Sequence, residues 1–137
     1  MIISEKKQSV TGGADAAVIF RAMLQAEDEI SRDREHFYVL GLNVKNIAQY
    51  VELVSLGSLN ASIVHPRETF RLAILKGVCA IILGHNHPSG ETRPGREDIK
   101  LTGRLVKGGE ILGIQVLDHV IIGQEAGYFS FRDNGLI

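Results

Sequence analysis

The sequence predicts an α/β (α+β) fold, a mixed sheet flanked by helices. Runs of strand length, rich in apolar and β-branched residues, alternate with stretches whose apolar residues recur at helical spacing. One run, 78–83, is apolar throughout, as a strand covered on both faces must be. Helical stretches fall at several points along the chain, which indicates a three-layer or α+β sandwich. At 137 residues the chain is one domain, long enough to bury roughly two thirds of its unfolded surface. With 45% hydrophobic and 23% charged residues it sits among globular proteins rather than disordered ones, and a net charge of −1 gives no global pull toward nucleic acid or membrane.

Taken in order, residues 1–12 are polar, end at Thr11-Gly12-Gly13 and read as a flexible lead-in, leaving 13–137 as the single domain. Asp15 is placed to cap a helix over 15–30, with Ala17, Phe20 and Leu24 on its apolar face. His36–Leu42 and 47–56 are β-rich runs joined by Asn43-Val44-Lys45-Asn46, a hairpin connection that makes the two strands antiparallel. After the linker 57–62, Pro66 suits the first turn of a helix over Pro66–Lys76, closed by Gly77, and His65 serves the turn before it. The strand at 78–83 follows, then a loop and a helix over Arg96–Leu112, with Gly95 as N-cap and Leu101, Leu105 and Leu112 sharing a face at roughly 100° per residue. Gln115–Ile122 and 128–131 complete the sheet, in the order α, β, β, α, β, α, β, β. Cys79, the single cysteine, lies inside an apolar run and reads as a small buried hydrophobe, with no disulfide framework. The start of the chain lacks the order of a signal peptide and no apolar run approaches ~18 residues, so a soluble, cytoplasmic protein is expected.

The chemistry gathers where the apolar strand ends, in Gly84-His85-Asn86-His87-Pro88-Ser89-Gly90. If the extended backbone persists through residue 87, His85 and His87 point to one side and Asn86 to the other. Pro88 cannot join a ladder and Ser89-Gly90 is turn chemistry, so the histidines sit at the mouth of a strand where a loop begins. Asp98, eleven residues beyond His87, falls on the Leu101/Leu105 side of the helical wheel, and a carboxylate facing the core needs a partner. A divalent metal shared with the two histidines would supply one. Two histidines and a carboxylate leave a position open for water, the pattern of catalytic zinc, whereas structural zinc is closed by four ligands, mostly Cys. The competing reading keeps the histidines as loop residues and Asp98 as a first-turn carboxylate favouring a helix N-terminus.

Hydrolysis at such a site also needs a general base, and the residues alone leave Glu35, Glu52, Glu68 and Glu97 open. Asp118-His119 opens the later strand and reads either as a structural hydrogen bond at a strand end or as support behind the metal ligands. His36 is expected to be exposed. Arg96, Lys100, Arg104 and Lys107 form a basic stripe opposite the leucines, flanked by Glu97 and Glu110, and read first as a solvated helix face.

His-x-His-Pro-Ser followed eleven residues later by Asp is similar to the JAMM motif of the MPN metalloprotease superfamily. The longer pattern of His85-Asn86-His87-Pro88-Ser89-Gly90, Pro94, Arg96-Glu97-Asp98-Ile99 and Leu117-Asp118-His119 resembles the RadC family, from about residue 34 onward. The resemblance implies an MPN, cytidine-deaminase-like architecture, Zn²⁺ held by His85, His87 and Asp98, and a peptide or isopeptide bond as the target. It also implies Glu35 as the base, because Arg34-Glu35-His36-Phe37 stands where JAMM enzymes place theirs, at the start of the first strand after the first helix. Ser89 and His119 are then candidates for oxyanion or supporting roles. Gly95 departs from the pattern, since JAMM enzymes usually carry there a serine that stabilises the oxyanion, and removing one such donor typically costs ~10²–10³ in rate. The alternative is therefore an MPN-type binding module with weak or no catalysis, associated with protein or DNA. RadC-like proteins often carry an N-terminal helix-hairpin-helix domain for which these residues leave no room, which weakens a nucleic-acid role. A homodimer stays open.

Overall fold

The computed structural model describes residues 2–4, 8–57, 63–123 and 127–137, so the linker at 58–62 and the segment 124–126 lie outside the described residues. Along the chain run β1 (Ile2–Ser4), α1 (Gly13–Gln25), α2 (Glu29–Arg32), β2 (His36–Leu42), β3 (Ala48–Leu56), α3 (Pro66–Lys76), β4 (Ala80–Asn86), α4 (Arg96–Leu112), β5 (Gln115–Ile122) and β6 (Tyr128–Ser130). The strands form one mixed sheet in the order β1-β3-β2-β4-β5-β6, with β4 and β5 parallel and every other pair antiparallel. The parallel pair needs a crossover, and α4 provides it.

Strand alternation divides the core into two layers. Tyr38, Leu40, Ala80, Ile82, Val120 and Ile122 face α1 and pack on its Ala16, Ala17, Ile19 and Phe20. Phe37, Val39, Ile81, Leu83 and Val116 face the other way, onto Phe70 and Ala73 of α3 and Leu101 and Leu105 of α4. The result is a three-layer sandwich consistent with the expected MPN architecture, whose central strands β2 and β4 are buried at every position. Among the described residues no helix is long and apolar enough to cross a membrane.

Local chemistry accounts for the connections. In the β2–β3 hairpin Asn43 Oδ1 accepts from the amides of Lys45 and Ile47, and Asn46 takes the left-handed conformation (φ 59°) that asparagine tolerates. Gly77 and Gly113 end α3 and α4 with φ of 66° and 74°, as left-handed caps. His65 precedes Pro66 as the N-cap residue of α3, and its carbonyl, not its ring, accepts from Thr69.

Five expectations are corrected. Asp15 does not cap α1. The cap is Gly12, and the Asp15 carboxylate accepts from the amide and hydroxyl of Thr11. The helix over 15–30 breaks after Gln25 and restarts at Glu29, because Asp28 caps a fresh turn by accepting from Ser31 N–H. Within the lead-in, Ile2–Ser4 pair antiparallel with β3, and Val10 is buried. The last strand stops at Ser130, where the chain turns. Leu112 leaves the Leu101/Leu105 face and is 46% exposed, since it is the last residue of α4.

At Gly84 helix and sheet meet closely: a Cβ there would stand 2.4 Å from the Phe20 ring. Gly84→Ala is expected to lower stability by about 1–3 kcal/mol through overpacking, read as a fall in the urea midpoint at unchanged slope. An unchanged midpoint would mean that α1 can lift from the sheet without cost.

Candidate metal centre

Two elements bring the motif together. β4 ends at Asn86; the rings of His85 and His87 both turn to Asp98 of α4, while the Asn86 side chain turns the other way, to the backbone of Arg32, Arg34 and His36. Asp98, in the first turn of α4, accepts from the Gly95 amide at 2.7 Å, the carboxylate half of a capping box. That bond leaves the carboxylate aimed at the histidines. His85 Nε2 lies 3.0 Å from His87 Nε2 and 3.2 Å from Asp98 Oδ1, and His87 Nε2 lies 3.1 Å from Asp98 Oδ2. The three residues form a group that could hold a metal ion, with all ligand atoms within 4.8 Å of one another. His85 is fully buried and Asp98 is 8% exposed.

The hydrogen bonds behind the histidines fix where their protons sit. Glu91 O can only accept, so His87 Nδ1, at 2.9 Å, carries the hydrogen. The chain behind His85 is longer. Thr102 Oγ1 donates to the Asp98 carbonyl at 2.7 Å, which leaves the hydroxyl oxygen to accept from His119 Nδ1 at 2.5 Å. A neutral His119 then presents a bare Nε2 to His85 Nδ1 at 2.7 Å, so His85 is the donor there and its own Nε2 is bare. Burial drives His119 well below the ordinary histidine range, helped by the nearby His85, which keeps it neutral.

Both Nε2 lone pairs therefore converge with a carboxylate. Without a cation, a proton fills the gap. The bond to Asp98 raises the His87 pKa, against burial, and the Asp98 charge, the Glu91 carbonyl and the Glu35 charge add to the rise. For Asp98 burial pushes the pKa upward, but the histidine hydrogen bonds and the Gly95 amide hold it well below the usual carboxylate range. A metal ion would take the place of that proton. Two ligands at ~2.0 Å from a tetrahedral centre stand about 3.3 Å apart, close to the spacings found here, so the residues fit such an ion.

The other predicted residues fall as follows. Glu35 immediately precedes β2 on the face of Phe37, and extending the Phe37↔His85 register by two residues sets it opposite His87. Its charge reaches His87. Glu52 is buried on β3, with its carboxylate 3.7 Å from Arg71, while Glu68 and Glu97 are exposed. Ser89 is exposed, and its hydroxyl accepts from the Glu91 amide at 3.4 Å. His36 is buried rather than exposed, stacked on Tyr38 with Nδ1 2.8 Å from Arg34 O. The Asp118-His119 pair splits: Asp118 holds the chain end through the amides of His119 and Arg132 and the Ser130 hydroxyl, while His119 turns to His85. Arg96, Lys100, Arg104 and Lys107 are all exposed. Sequence reasoning passed over Thr102, although its place four residues after Asp98, one helical turn on, was a signal.

Compared with known proteins, residues 10–136 match the family model described as RadC-like JAB domain. A UPF0758 protein of Desulforamulus reducens is 53% identical over 114 residues, covering 83% of this chain and 50% of its own length. One from Methanosarcina barkeri is 43% identical over 135 residues, covering 98% of this chain and 56% of its own. The chain spans about half the length of the curated relatives it matches.

Nitrogen-15 NMR of the metal-free protein, above the raised pKa of His87, is expected to show His85 and His87 as Nδ1–H tautomers. His119→Leu should convert His85, and not His87, to a mixture. Wild-type His85 protonated at Nε2 would contradict the arrangement.

Proposed function

We propose that this chain, which belongs to the RadC-like JAB domain family, is a zinc-dependent hydrolase that cleaves a peptide or isopeptide bond. The observation that carries the reading is the convergence of two imidazole Nε2 atoms and a carboxylate on one point, beside Glu35. His85, His87 and Asp98 would hold Zn²⁺, and the protein supplies three ligands, as catalytic zinc sites do. When bound, zinc supplies Lewis-acid polarisation and lowers the pKa of water toward ~7. The rest of the chemistry falls to the chain. The Glu35 carboxylate takes the proton from the attacking water and returns it to the leaving amine, as general base and then general acid. His119, itself held by Thr102, keeps the His85 ring in the tautomer that binds, and such support is typically worth 10–100-fold in metal affinity.

A cleft of about 550 Å³ lies on the α1 and α2 side of the sheet, the side Asn86 faces, and reaches the end of β4 at His87; Arg21, Glu29, Arg32 and Asp33 are among its lining residues. Its charges are mixed. That suits a peptide chain, whereas a nucleic acid would meet carboxylates where its phosphates need cations.

A second reading rests on Gly95, which offers no side-chain hydroxyl near Asp98. Under it the domain keeps the fold and the metal but binds its partner without cleaving it. The position accepts serine: φ is −84°, and an added Cβ would meet only Asp98 Oδ2, at 3.6 Å.

Two variants separate the readings. In a peptide-library cleavage assay, Glu35→Gln is expected to keep its zinc and lose hydrolysis by about 10²-fold or more, while Gly95→Ser should raise the rate. Undiminished cleavage by Glu35→Gln would refute the base assignment. No cleavage by either the wild type or Gly95→Ser would favour the binding module.

A further inference from the structure

Asn86 stands between the two histidine ligands in sequence but points through the sheet to the opposite side, where it is 2% exposed. Its amide oxygen accepts from the His36 N–H at 2.6 Å, and its nitrogen donates to the carbonyls of Arg34 at 3.0 Å and Arg32 at 3.4 Å. These bonds grip the backbone on both sides of Glu35. The carbonyl of Glu35 is taken by the Gly57 amide at 2.8 Å, so the residue is held from β4 on one side and from the end of β3 on the other. The β2–β4 ladder ends at the Phe37↔His85 pair, and beyond it the Asn86 side chain does what strand pairing no longer does.

We propose that Asn86 is a positioning residue that ties Glu35 to the strand carrying His85 and His87, so that base and metal ligands move as one unit. The proposal rests on the reading of Glu35 as the base. The chemistry of the site selects asparagine. An acceptor for His36 N–H and a donor for two carbonyls must sit on one short side chain, and aspartate supplies only the first, alanine neither. A buried backbone group left unpaired here would carry its full desolvation cost, so the segment would move to find other partners. Glu35 would move with it.

The test uses zinc-loaded and cobalt-substituted full chain in four forms: wild type, Asn86→Ala, Glu35→Gln and the double variant. Asn86→Ala is expected to keep one metal per chain, while its His36 and Gly57 amides exchange about tenfold faster and the Ile114 amide, bonded to the Gly109 carbonyl near the opposite end of β4, is unchanged. The pH midpoint of the cobalt visible spectrum should shift in the same direction in Asn86→Ala and Glu35→Gln, and the double variant should match Glu35→Gln alone. Should Asn86→Ala not fold, Asn86→Asp keeps the bond from His36 and should loosen Gly57 more than His36. Unchanged local exchange, or an Asn86→Ala shift that persists in full on the Glu35→Gln background, would overturn the proposal. If Glu35→Gln moves no midpoint at all, the base assignment fails, and the exchange rates still report separately whether Asn86 holds the segment.

Discussion

Two imidazole nitrogens and a carboxylate, held 3.0–3.2 Å apart with their lone pairs facing inward, repel one another unless something positive lies between them. That frustrated cluster is what the surrounding structure is built to hold. In the neutral rings the one proton each histidine carries is committed elsewhere, that of His87 to the Glu91 carbonyl and that of His85 to His119, which Thr102 links to the carbonyl of Asp98 itself. The chain of bonds begins and ends on the same pair of ligands, so the helix that supplies the carboxylate also fixes the tautomer of the histidine it faces.

The fold makes this arrangement with few parts. A strand buried on both faces cannot shift its register without moving its apolar residues to the wrong layer, so the histidines at its end are placed by the packing of Ile81, Ile82 and Leu83. The first turn of α4 is placed by Leu101 and Leu105, buried one and two turns along. Placement by packing at both ends leaves little freedom where they meet. Asn86 extends the same logic to the third component, joining the start of β2 to the end of β4 after their ladder has stopped.

Much of this was readable beforehand, because it followed from short periodicities. The two-residue alternation of β4 put His85 and His87 on one face, and the helical wheel of α4 put Asp98 toward the core. Local signals were weaker where two competed. Asp15 and Asp28 are both acceptable caps, and only the break after Gln25 shows that the second one starts a new helix. His36 and Thr102 were missed for another reason. Their partners are 50 residues away at Asn86 and 17 residues away at His119, so no local pattern announces them. The roles of Glu35 and Gly95 came from resemblance and not from spacing.

Metal content tests the central claim most directly. Mass spectrometry of the purified protein, beside His87→Ala and Asp98→Ala variants shown to be folded, should find about one zinc per chain in the wild type and none in either variant. Folded wild type that takes up no zinc even after reconstitution, or variants that keep it, would contradict the account.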